Sequence, residues 1–210
     1  MRVFASVFLF GVAAIAAATP IIYSEQVIAT GTIGTSAFTN ASLTLTFVGD
    51  TANVTETPLH PGYFSIAATG TTINIDGVGS GLVTEPGIEV FSIPFVGMHM
   101  LLPGPALGSA GFRSTNTGGI LETWDSAFNP YDLTTAIGPI ANYPTLLTII
   151  EISPPPNFAT TLGTLNIASV GVSTFTATGG VPEPMSSGLV ALGLVALGLA
   201  LVLRSGFKRI

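Results

Sequence analysis

Apolar and polar residues alternate with a period of two along several short stretches of the chain. The clearest runs from Phe38 to Val48, where Leu43, Leu45 and Phe47 alternate with Ser42, Thr44 and Thr46. Alternation of this kind puts one set of side chains on each face of a strand, and Gly49-Asp50 closes it. From Thr71 to Val78, Ile73 and Ile75 fall on one face and Asn74 and Asp76 on the other. Gly77, Gly79 and Gly81 then interrupt the pattern ahead of Leu82-Val83-Thr84, which predicts a hairpin or a strongly bent strand. Ile88 to Ile93 reads as a strand stopped by Pro94, and Leu146 to Ile152 as one closed by Pro154-Pro155-Pro156. Thr161 to Ile167 and Val170 to Ala177 read as the last two. In the second, Val170, Val172 and Thr174 share one face, and Gly171, Ser173 and Phe175 share the other. Between Pro94 and Pro144 the pattern is irregular. There Ile120, Trp124 and Phe128 recur at spacing four, which predicts a short helical turn among long loops, cut off by Pro130. Roughly eight alternating strands predict an all-β fold, an antiparallel β-sandwich or jelly-roll-like domain.

The two ends of the chain break this pattern. At the N-terminus, Arg2 precedes an apolar run from Val3 to Ile15, and Ala16-Ala17-Ala18 offers a small-residue cleavage site. That is the layout of a secretory signal peptide over residues 1–18. The exported domain then occupies 19–180. At the C-terminus, residues 181–210 read VPEPMSSGLVALGLVALGLALVLRSGFKRI. Gly188 to Leu203 carries no charge, and a helix of it spans about 24 Å at ~1.5 Å per residue. Begun near Met185, it comes close to the ~30 Å of a hydrocarbon core. Arg204, Lys208 and Arg209 follow at once, which predicts a cytoplasmic C-terminus and an exported middle domain.

Charge narrows the partners. The chain has five Lys and Arg, and Arg113 is the one that lies outside the terminal segments, against ten of the eleven Asp and Glu. Holding a phosphate backbone takes several cations, so nucleic acid is a poor partner. An acidic surface of this kind serves solubility. There is no cysteine, which removes disulfides, thiolate nucleophiles and Cys-ligated metal.

Within the domain, no residue pattern announces catalysis. Gly77-Val78-Gly79-Ser80-Gly81 puts its serine one position away from that of a nucleophile elbow, and reads as a turn. His60 and His99 lack the helical spacing of a metal pair. Glu122, Asp125 and Asp132 crowd around Trp124, Phe128 and Tyr131. Acids beside aromatics suit sugar binding, or glycoside hydrolysis if two carboxyls stand about 5–10 Å apart. Trp124, Asp125 and Tyr131 are therefore the candidate ligand contacts. No cofactor and no metal site is expected, and the chain reads as a non-enzyme.

The tail resembles the PEP-CTERM sorting signal of proteins processed by exosortases. The resemblance rests on Val181-Pro182-Glu183-Pro184, the apolar helix after it and the basic end, in that order; the end RSGFKR is less arginine-rich than the family's. It implies recognition of Pro182, Glu183 and Pro184 by an exosortase. It further implies a transient stay in the cytoplasmic membrane, cleavage near the motif, and delivery to the surface of a Gram-negative bacterium that makes exopolysaccharide and biofilm. The domain also resembles, more loosely, small ectodomains that carry this tail, through residues 29–55, 73–81 and 127–139. That second likeness implies a β-sandwich without a catalytic motif. The expected function is a non-enzymatic surface or matrix protein. A carbohydrate-binding module is the second reading, and a secreted glycoside hydrolase the third.

Overall fold

Threonine, valine, isoleucine and phenylalanine favour a pleated, half-buried surface over a helix. The chain accordingly folds into strands. The computed structural model describes residues 19–58, 60–94, 107–116, 120–142 and 157–179. In chain order the strands are β1 (Pro20–Ile33), β2 (Ser36–Asp50), β3 (Thr55–Glu56), β4 (Phe64–Ala67), β5 (Thr72–Ile75), β6 (Gly79–Leu82), β7 (Ile88–Ile93), β8 (Gly108–Ser114), β9 (Ile120–Asp125), β10 (Ile137–Asn142), β11 (Asn157–Thr160) and β12 (Gly163–Gly179). Two single 3-10 turns, Thr51–Asn53 and Ser126–Phe128, complete the regular structure.

The strands form two antiparallel sheets. The first has the order β10-β12-β1-β2-β5-β6, with β11 also paired to β12, and the second β3-β4-β7-β8-β9. The outer edges of the first sheet meet at one end: Val83 bridges Thr160, and the amides of Thr84 and Thr161 donate to Ala159 O and Leu82 O. The sheet is thus curled around its buried face. Parity decides that face. On β1, Ile21, Tyr23, Val27, Ala29 and Ile33 point inward; on β2, Leu43, Leu45 and Phe47 do. They meet Ile66, Val90, Ala110, Phe112 and Leu121 of the second sheet in one apolar core. The architecture is all-β and sandwich-like, as the alternation predicts. A fully buried Phe or Leu contributes about 2–3 kcal/mol here.

The Tyr23 hydroxyl donates at 2.6 Å to Leu133 O, in the loop between β9 and β10. Polar ties cross between the sheets. The Glu85 carboxylate accepts from Ser114 Oγ at 3.1 Å and from the Ala159 amide at 3.2 Å. Asn142 Nδ2 donates to Trp124 O and joins the edge strands β10 and β9.

Three expectations are corrected. The stretch Ile120 to Phe128 is not a helical turn: it is strand β9 up to Asp125, whose φ of −159° and ψ of 154° are extended, and only Ser126–Phe128 coils. Pairing with β8 from Ile120 through Asp125 overrides the four-residue spacing. The region between Pro94 and Pro144, expected as loops, also holds β8 and β10. The strands expected over Thr161–Ile167 and Val170–Ala177 are one, β12, with two register shifts against β1 between Ile167 and Ser173. The hairpin β5–β6 turns through Gly77 and Gly79, both at positive φ, where a glycine-rich break was expected. The strand expected at Leu146–Ile152, the signal peptide 1–18 and the tail 181–210 lie outside the described residues. Among the described residues no helix is long and apolar enough to cross a membrane.

Candidate functional site

Strand β9 sits at one edge of the second sheet and presents a different chemistry on each face. Its alternation sends Leu121 and Thr123 inward, and Glu122 and Trp124 outward. The inward set meets a carboxyl. Glu25 lies on the core face of β1 between Tyr23 and Val27 and is fully buried. Thr123 Oγ1 is 2.8 Å from Glu25 Oε1 and 2.9 Å from Ser173 Oγ. Ser173, on the core face of β12, in turn lies 3.3 Å from the backbone oxygen of Glu122. The other oxygen of Glu25, Oε2, has no hydrogen-bond partner among the described residues. Burial pushes the Glu25 carboxyl well above the carboxylate range. A hydrogen donated by Thr123 would work against that rise, and the charge of Glu122 adds to it.

The outward set forms a second cluster. Glu122 pairs in register with Gly111 of β8, and Gly111 with Phe91 of β7. Arg113, two residues along β8, stacks over the rings of Tyr63 and Phe91, 4.7 and 5.6 Å from their centres. Its guanidinium Nε donates to Glu89 Oε1, which also accepts from the Tyr63 hydroxyl at 3.2 Å. Glu122 is pushed up to about 7, chiefly by burial; hydrogen bonding from Ser109 and Trp124 and the charge of Arg113 pull the other way. The face therefore combines an ion-paired carboxylate, a carboxyl that titrates near neutrality and three aromatic rings.

The residues singled out in the sequence do not assemble as one site. Asp125 Oδ1 accepts from the Ala127 amide at 2.9 Å and caps the 3-10 turn. Asp132 Oδ1 accepts from the amide and hydroxyl of Thr134 at 3.0 and 2.7 Å. The Tyr131 ring is in the core, packed on Phe128 and edge-on to Phe175. Only Glu122 and Trp124 share the outer face with Arg113. His60 is exposed in a turn, its amide donating to Thr57 O; His99 lies outside the described residues. Among the described residues, no three His, Cys, Asp or Glu are grouped to hold a metal ion. Pro182, Glu183, Pro184, Arg204, Lys208 and Arg209 also lie outside them.

Glu25 is the residue that sequence reasoning missed. Its signal was present: an acid standing in an inward slot of the series Ile21, Tyr23, Glu25, Val27, Ala29. Comparison of the chain with protein-family models, with curated proteins and with solved structures finds no match. The functional reading therefore rests on the chain's own residues.

Proposed function

We propose that this chain is an exported, non-enzymatic surface or extracellular-matrix protein, processed by an exosortase in a Gram-negative bacterium that makes exopolysaccharide or biofilm. One observation carries the reading: Val181-Pro182-Glu183-Pro184, an uncharged apolar run and the cations Arg204, Lys208 and Arg209 stand in that order behind an N-terminal export signal. Two prolines disfavour helix and sheet, which suits the motif to recognition as an extended peptide by a processing enzyme. The apolar run holds the chain in the membrane until cleavage, and the cations keep its end cytoplasmic. Within this reading residues 19–180 are a β-sandwich ectodomain. Support for a non-enzymatic role comes from its acids: Asp125 and Asp132 order local turns, Glu85 ties the sheets and Glu89 holds Arg113. Expression with and without the cognate exosortase tests it. The reading expects the enzyme to shorten the chain and move it from the membrane fraction to the cell exterior. An unchanged mass and an unchanged membrane fraction would overturn it.

Carbohydrate binding is a second reading, and the outer face of the second sheet favours it, since Trp124 and Glu122 stand there beside Arg113 and Tyr63. Trp124→Ala is expected to abolish binding on a glycan array. A wild-type chain that binds no glycan of its host removes this reading.

A further inference from the structure

We infer that Glu25 is a neutral carboxylic acid in the folded protein at neutral pH, and that its proton closes a hydrogen-bonded chain which clasps the two sheets and opens when alkali removes it. The inference is independent of the exosortase reading.

Counting hydrogens carries it. Three contacts run in series: Glu25 Oε1 to Thr123 Oγ1, Thr123 Oγ1 to Ser173 Oγ, and Ser173 Oγ to Glu122 O. A carbonyl oxygen only accepts, so Ser173 spends its single hydroxyl hydrogen on Glu122 O. The contact between the two hydroxyls must then be donated by Thr123. That leaves none for Thr123 to give to Glu25, and the first contact needs a hydrogen from the carboxyl itself. An ionised Glu25 supplies none, and one of the three contacts must open.

Solvation points the same way. Glu25 and Thr123 are fully buried and Ser173 is 2% exposed. As a carboxylate, Glu25 would keep a charge in the core with Oε2 unpartnered, which costs far more than an unpartnered neutral carbonyl. No cation faces it. Arg113 is occupied by Glu89 on the opposite face of the second sheet. From β9 the charged group acting on Glu25 is Glu122, of like sign. On its own strand the titratable neighbour is Tyr23, whose hydroxyl donates to Leu133 O. Asp132, on the loop packed beside them, acts on Tyr23, and β12 contributes only the neutral Ser173.

The series passes from the first sheet to the second, back to the first and again to the second. Losing its first hydrogen opens one of the three contacts and so weakens the tie of β9 to the first sheet. Because Glu122 lies on the same strand and, pushed up to about 7 by burial, gives up its proton as pH climbs through neutrality, rising pH loosens β9 from two sides.

Infrared spectroscopy of the full-length protein in heavy water tests this. At neutral pH a protonated-carboxyl band is expected in Glu122→Gln, where the acid that titrates to about 7 is gone, and is missing once Glu25→Gln is added to it. As pH rises and the band disappears, amide exchange in β9 should accelerate at least about tenfold beyond its intrinsic pH dependence, while the β1–β2 pairing stays protected. Thr123→Val keeps the acid but removes its partner, and should shift the band even if Glu25→Gln fails to fold. In the Glu122→Gln background, a band that is absent at neutral pH, that persists when Glu25→Gln is added, or that is unmoved by Thr123→Val overturns the inference. So does β9 exchange that stays flat while the band is lost.

Discussion

Glu25 occupies a position that strand parity reserves for an apolar side chain, and the cost of placing it there is met by one proton. Glu25→Gln keeps the shape, a donor and an acceptor. It is expected to match the wild type at neutral pH within about 1 kcal/mol in urea unfolding, and to flatten the pH dependence in alkali. Glu25→Ala removes the contact and leaves a cavity, with an expected loss of about 2–4 kcal/mol. Glu122 gives the pH prediction its window. Its carboxyl rises from 4.5 when unfolded to about 7 when folded, so the folded state binds the extra proton. Stability from this group is complete below pH 4.5 and is lost as pH climbs through 7, by roughly 3 kcal/mol. Glu25 shifts in the same direction. Urea midpoints should therefore fall from acid towards alkali, against the usual acid lability of proteins, and Glu122→Gln should remove the part of the slope between pH 4.5 and 7.

At the scale of single elements, β9 is the strand on which both clusters depend. Thr123→Val leaves the buried acid without its partner and should cost about 1–3 kcal/mol. Pairing it with Glu25→Met replaces both polar groups, and the double variant should recover part of the loss, a coupling of about 0.5–3 kcal/mol in a double-mutant cycle. Gly111 shows why β8 stays close enough to position β9: a Cβ there would stand 2.7 Å from Glu122 Cα. Gly111→Ala should accordingly destabilise by about 1–3 kcal/mol, read as a lower thermal midpoint. The same residues explain what could be read in advance. β2, the β5–β6 hairpin and β7 were legible because branched and aromatic residues alternate cleanly and glycine or proline ends each. β8, with the sequence GSAGFRS, has the composition of a turn, because its glycines answer a close backbone approach that only the folded neighbours create. β1 was hidden by Glu25, Ala29 and Gly31 in its inward slots, so its alternation lacks the large apolar side chains that make a strand visible. The acids around Trp124 looked like one site because they are near in sequence; a strand followed by a tight turn sends Glu122, Asp125 and Tyr131 in three directions.

The whole molecule divides into a domain whose architecture follows from alternation and ends for which the proposed roles rest on their order in the sequence. Folding joins two sheets through an apolar core and a few polar ties, while the proposed delivery rests on residues 1–18, Pro182-Glu183-Pro184 and the terminal cations. Delivery is the central claim, and the intact mass of the protein recovered from the cell exterior tests it most directly, compared between the wild type and Glu183→Ala. The account predicts a wild-type mass that ends near Pro184 and lacks the cations from Arg204 to Arg209, with Glu183→Ala retained at the membrane and uncut. A released protein that still carries Arg204 to Ile210, or a variant cut and released like the wild type, would contradict it.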